Sequence, residues 1–231
     1  MPGAPGIDVT TGGQVNSITV TDNDVSPVID VVTIYRTLPG VETVILTKTL
    51  TLASPGHGAP PEGTFSDYTW ASGKLYEYVA IGYDSSGNAS PPSPVATLTG
   101  TLTTAVITSV AKNATDNFGG VGLEIYNQWG QRRNYEIENQ SLIMPGRGKP
   151  VIKVSPIVGF SVDIPVLVPL ADKATVIPAL DSILQSNQVF TYRDALGDLV
   201  FGTFGNNSVD LRIKSEFTLV MIETDYKQDA E

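Results

Sequence analysis

The chain has 231 residues, no cysteine, one histidine, and 14 Lys and Arg against 24 Asp and Glu, for a net charge of −10. Without thiols it has no disulfide scaffold, zinc–thiolate site or cysteine nucleophile, and so acidic a surface repels nucleic-acid phosphates. Hydrophobic residues at 41% suffice for a core, while charged residues at 16% fall below the ~25% of an average globular chain.

Residues 1–14 (MPGAPGIDVTTGGQ) lack the basic and apolar regions of a secretory signal and read as a flexible arm. From there to about residue 99, short β-rich runs alternate with turns. Ile18 and Val20 share a face, residues 31–36 (VVTIYR) are β-branched and aromatic, and residues 43–52 put Val44, Leu46, Lys48, Leu50 and Leu52 on one face. Residues 74–83 (KLYEYVAIGY) form another strand, and 84–88 (DSSGN) a hairpin turn. This pattern predicts an antiparallel β-sandwich. Residues 53–63 (ASPGHGAPPEG) read as a loop. The proline-rich run at 90–106 is expected to be a closing strand and a connector. With turn residues and no apolar periodicity there, two domains with separate cores and a protease-sensitive join at 97–104 are predicted.

Residues 100–226 predict a second β-rich domain with one helix. Residues 121–128 and 132–138 read as a hairpin around Trp129 and Gly130, and 150–154 and 160–168 as strands. In TVIPALDSILQSNQ, Ile177, Leu180, Ile183 and Leu184 recur at helical spacing, with Pro178 in the first turn. VFTYRD and LVFGTF form strands around ALGD. A long last strand over 210–224 puts Leu211, Ile213, Phe217, Leu219 and Met221 on one face, with a bend or bulge at Ser215. Residues 227–231 are expected to fray.

Trp70, Gly73, Tyr76, Tyr78 and Ala80 resemble the turn and following strand of fibronectin type III domains. The resemblance covers about residues 15–99 and implies that Tyr76 is the corner tyrosine, bonded to backbone near the Trp70–Gly73 turn. The second half resembles the end of minor tail proteins of long-tailed bacteriophages of actinobacteria. There Arg193, Asp194, Gly197, Phe201 and Gly202 match a hairpin, and Phe217, Leu219 and Glu223 a closing strand. This implies a structural component of the virion tail, assembled in the host cytoplasm.

The candidates for chemistry are few. His57 stands in a Pro/Gly loop with no nucleophile motif. Asp22 and Asp24 offer oxygen ligands for calcium but lack the glycine and distal glutamate of a calcium loop. Glu124, Glu136 and Glu138 would suit glycoside hydrolysis if paired across a cleft, yet strand glutamates that blunt aggregation explain them more simply. Residues 146–150 (GRGKP) lack the spacing of a phosphate loop. No catalytic residue, metal or cofactor is therefore expected, and no nucleic-acid partner or membrane insertion. Trp129 with Arg132 and Arg133 is the one basic–aromatic cluster and the first interface candidate, joined by Phe217 and Leu219. The expected partners are other copies and other tail proteins. The alternative is a carbohydrate-binding or adhesion module, with host surface glycan as ligand.

Overall fold

The computed structural model describes the chain except residues 23–27, 54–59, 110–122, 126–131, 143–150, 186–187, 205–215, 225–228 and 231; at 132–142, 151–160, 170, 216–217 and 229–230 it describes the backbone. The protein is mainly β, built from antiparallel sheets, with one α-helix among the described residues.

The first unit is a sandwich. One sheet has the order β1 (Gly6–Gly12), β2 (Val15–Thr21), β5 (Glu62–Asp67). The facing sheet runs β4 (Leu46–Thr51), β3 (Val31–Thr37), β6 (Leu75–Tyr83), β7 (Ala96–Thr99). Strict alternation puts Ile18 and Val20 of β2, Val32 and Ile34 of β3, and Tyr76, Tyr78 and Ala80 of β6 inside. Leu46, Leu50 and Phe65 join the same core, whereas Val44 is exposed. The N-terminal arm is a strand: β1 pairs with β2 from Gly6↔Thr21 to Gly12↔Val15, and Ile7 and Val9 pack on the core. The Gly12-Gly13 step before Gln14 supplies the turn, with Gly13 at φ 73°.

Two five-residue turns use one device. In Asp84–Asn88 the Asp84 carboxylate accepts bonds from the Ser86 and Asn88 amides, and in Asp194–Asp198 the Asp194 carboxylate accepts from those of Leu196 and Asp198. Each puts glycine at the left-handed fourth position, Gly87 at φ 79° and Gly197 at φ 96°.

The second unit is one seven-stranded sheet in the order β10 (Arg132–Leu142), β11 (Val151–Leu167), β14 (Glu216–Glu223), β13 (Leu199–Phe204), β12 (Phe190–Arg193), β8 (Ala105–Ser109), β9 (Leu123–Ile125). The expected hairpin around Trp129 is corrected: β9 pairs with β8 and β10 with β11, at opposite edges of the sheet. Six strand spacings of ~4.8 Å make a flat sheet ~29 Å wide, while the seven peptide links from Ile125 to Arg132 reach at most ~25 Å. The sheet therefore curls, bringing its edges toward each other around a core of Ile107, Ile125, Val162, Ile164, Tyr192, Val200, Leu219 and Met221.

Other boundaries are corrected too. Residues 151–167 form one strand; Ser155 and Pro156 fall at a register shift, where a missing N–H costs least. The helix α1 runs Lys173–Gln185, so Pro178 lies inside it rather than in its first turn. A 3-10 turn at Leu170–Asp172 starts the helix early, and its packed residues are Val176, Leu180, Ile183 and Leu184. The terminus is not all frayed: β15 (Asp229–Ala230) pairs in parallel with Thr47 and Lys48 of β4. Ser215 and residues 210–214 of the expected last strand lie outside the described residues. Among the described residues, no helix is long and apolar enough to cross a membrane.

Candidate functional site

Among the described residues, a dense cluster of buried polar groups lies where the two units meet. Period-2 alternation sets it up. Arg36 is in phase with Val32 and Ile34 on β3, and Asp67 with Phe65 on β5, so both charges point into the sandwich and are fully buried. Their ion pair satisfies what burial would otherwise penalise. The Asp67 carboxylate also accepts from the Tyr78 hydroxyl at 3.0 Å, and from the Thr69 amide and hydroxyl at 2.8 Å each. Four donors occupy its two oxygens. Arg36 also donates to the Thr69 carbonyl at 3.3 Å and lies 4.8 Å from the centre of the Tyr76 ring.

Burial alone would lower the Arg36 pKa; Asp67, followed by Tyr78 and Tyr76, outweighs that and raises it. Burial is also the main cause that holds Tyr78 far above an ordinary tyrosine, with the Asp67 charge adding to it. Tyr76 is raised by burial, while its bond with Ala71 acts in the opposite sense.

Tyr76 and Trp70 form the corner. The Ala71 amide donates to the Tyr76 hydroxyl at 2.9 Å, Gly73 turns the chain at φ 73°, and Trp70 is fully buried. One side of Trp70 is closed by Gly100, whose missing Cβ would stand 2.6 Å from the indole. Against the ring lies Arg193 of β12, its guanidinium carbon 5.2 Å from the centre. Arg193 is fully buried, donates to the Gln14 carbonyl at 3.0 Å, and is pushed down to about 10 by burial, so it remains charged at neutral pH. A desolvated cation over an indole gains ~2 kcal/mol.

Further bonds complete the joint. The Leu102 amide donates to the Ser72 hydroxyl at 2.9 Å, Gly73 donates to the Gly100 carbonyl at 2.8 Å, and Gln14 bonds Glu124. The expected open join is thus corrected: Leu102 is buried, and Leu102 and Val106 pack into the first core. β8 is buried on both faces. Val106 and its partner Arg193 face the sandwich, while Ile107 and its partner Tyr192 face the second core. Neither Arg36 nor Asp67 stood out as a site residue in the sequence, and Arg193 was expected only as a hairpin residue. The signal for the first two was their phase with apolar neighbours.

Trp129 lies outside the described residues, as do His57, Asp24 and residues 146–150. Arg132 and Arg133 begin β10, opposite Asp163 and Val162. Leu219 is buried in the second core, and Leu219 and Phe217 of β14 pair with Ile164 and Val166 of β11. Asp22 is buried and accepts from the Ile29 amide at 2.7 Å, closing its own loop. Among the described residues, no three His, Asp or Glu side chains gather as a metal site requires. The chain matches no protein-family model, no curated protein and no solved structure.

Proposed function

We propose that the protein is a structural component of a bacteriophage tail, a minor tail protein without catalysis, held in the virion by contacts with other copies and other tail proteins. The observation that carries this reading is the joint of Trp70 and Arg193. It ties a fibronectin type III-like sandwich to a second β unit through a buried cation–aromatic contact, which suits a part that must hold one shape under assembly. Two residues of the tail-protein resemblance have definite jobs in it, Arg193 on the indole and Asp194 capping the turn that follows. The test is immunogold electron microscopy of particles from infected cells. Gold on the tail supports the reading; protein left wholly in the particle-free fraction contradicts it.

One observation favours the adhesion reading. Tyr35 and Tyr83, on the outer face of β3 and β6, are only partly buried and hydrogen-bond each other, a small aromatic surface of the kind sugars stack on. Measured affinity for a host polysaccharide, lost in Tyr35→Ala and Tyr83→Ala, would move the conclusion to that reading.

A further inference from the structure

β10 and β11 form a ribbon that runs past their own sheet. β11 pairs with β14 only over Ser161–Leu167, while its pairing with β10 extends back to Val151. From Tyr135 to Leu142 on one arm, and from Val151 to Phe160 on the other, the two strands pair only with each other among the described residues. Eight residues of β10 at ~3.4 Å each make an arm ~27 Å long. A two-stranded ribbon is marginal by itself in water, and among the described residues no strand pairs with the outer edge of either arm, an arrangement that invites strand addition.

Composition says what covers it. Between Val151 and Phe160, β11 has Val151, Ile152, Val154, Ile157, Val158 and Phe160, apolar residues at odd and even positions alike. That is the pattern of a strand covered on both faces. The two arms also differ in charge. Over 135–142, β10 carries Glu136 and Glu138 and no cation; over 151–160, β11 carries Lys153 and no carboxylate. Two β10 edges repel each other, as do two β11 edges, whereas a β10 edge attracts a β11 edge.

We propose that this ribbon is the assembly arm of the protein, and that its occupant is a second copy. The Glu136/Glu138 edge of one molecule pairs with the Lys153 edge of the next, extending the sheet by β-strand addition. Such a contact joins unlike patches, so it propagates into a ring or a filament. The inference rests on the assembly reading above and names the surface through which copies meet.

The test uses the full chain in sedimentation velocity over a concentration series, with hydrogen exchange on the wild type. The wild type is expected to associate, with slower exchange at 135–142 in the associated form. E136K/E138K and K153E should each raise the dissociation constant ~10-fold or more. An equimolar mixture of the two should recover the wild-type size, because each reversed edge then meets its complement. A wild type that associates equally well in both variants overturns the ribbon as the contact and leaves the assembly reading standing. A wild type that stays monomeric overturns both. Slow exchange in the monomer at the amides of 135–142 directed away from β11 means the chain covers its own edge, and the proposal fails; this measurement needs no variant.

Discussion

The two β units each bury an arginine and treat it differently. Arg36 of the sandwich meets its carboxylate, Asp67, inside its own core, and Tyr78 and Thr69 fill the remaining bonds. Arg193 of the curled sheet leaves its own core and rests on Trp70 of the sandwich. The first arrangement fixes how two sheets of one unit face each other. The second couples two units, because the cation of one lies on the aromatic ring of the other. A charge paired within a core specifies a fold, and a charge lent to a neighbour's aromatic ring specifies an arrangement of folds.

The sharpest way to break the comparison is to remove the partner of Arg36. Asp67→Ala leaves a fully buried cation unpaired and should cost ~3–5 kcal/mol in urea denaturation. A loss below ~1 kcal/mol would mean that the ion pair does not organise the sandwich. Gly100→Ala acts on the joint instead. Its methyl group meets the Trp70 ring, which is fully buried, so ~1–3 kcal/mol should be lost. Unchanged stability would show that the indole has room to move. Tyr76→Phe removes one hydrogen bond at the corner and should cost ~1 kcal/mol by the same measurement.

The smallest effect is in alkaline solution. Tyr76 and Tyr78 have folded-state pKa values above their ordinary value of 10.0. Their contribution is fully present below that value and is lost as the pH rises, because the unfolded chain ionises first. Arg193, lowered to about 10, is relieved over the same range and acts in the opposite direction. Comparing Tyr78→Phe with the wild type isolates the tyrosine share. The variant should lose less stability between about pH 9 and about pH 11 than the wild type does. An equal loss would place Tyr78 in contact with water.

The sandwich was legible because its signals are local. Alternation within a strand, Gly73 three residues after Trp70, and Tyr76 three residues further on are all read from short windows. β1 was the local signal passed over: Ile7 and Val9 alternate ahead of a glycine turn. The second unit was less legible because its pairings are distant in sequence. Residues 121–128 and 132–138 look like neighbours, yet β9 finds β8 and β10 finds β11. The joint was the least legible part. An arginine beside an aspartate, as in Arg193-Asp194, reads as the polar end of a hairpin. Only the fold shows that the side chain crosses to an indole 123 positions earlier in the chain.

The central claim is that Arg193 on Trp70 fastens the two units across a buried join, and limited proteolysis tests it most directly. In the wild type the segment from Thr97 to Thr104 should resist a broad-specificity protease under native conditions, because Gly100 and Leu102 are buried. Arg193→Ala should open that segment and release a folded N-terminal fragment at least ~10-fold faster, because it removes the packing of the side chain against Trp70. Prompt cleavage of the wild type between Thr97 and Thr104, at the same rate as the variant, would contradict the account.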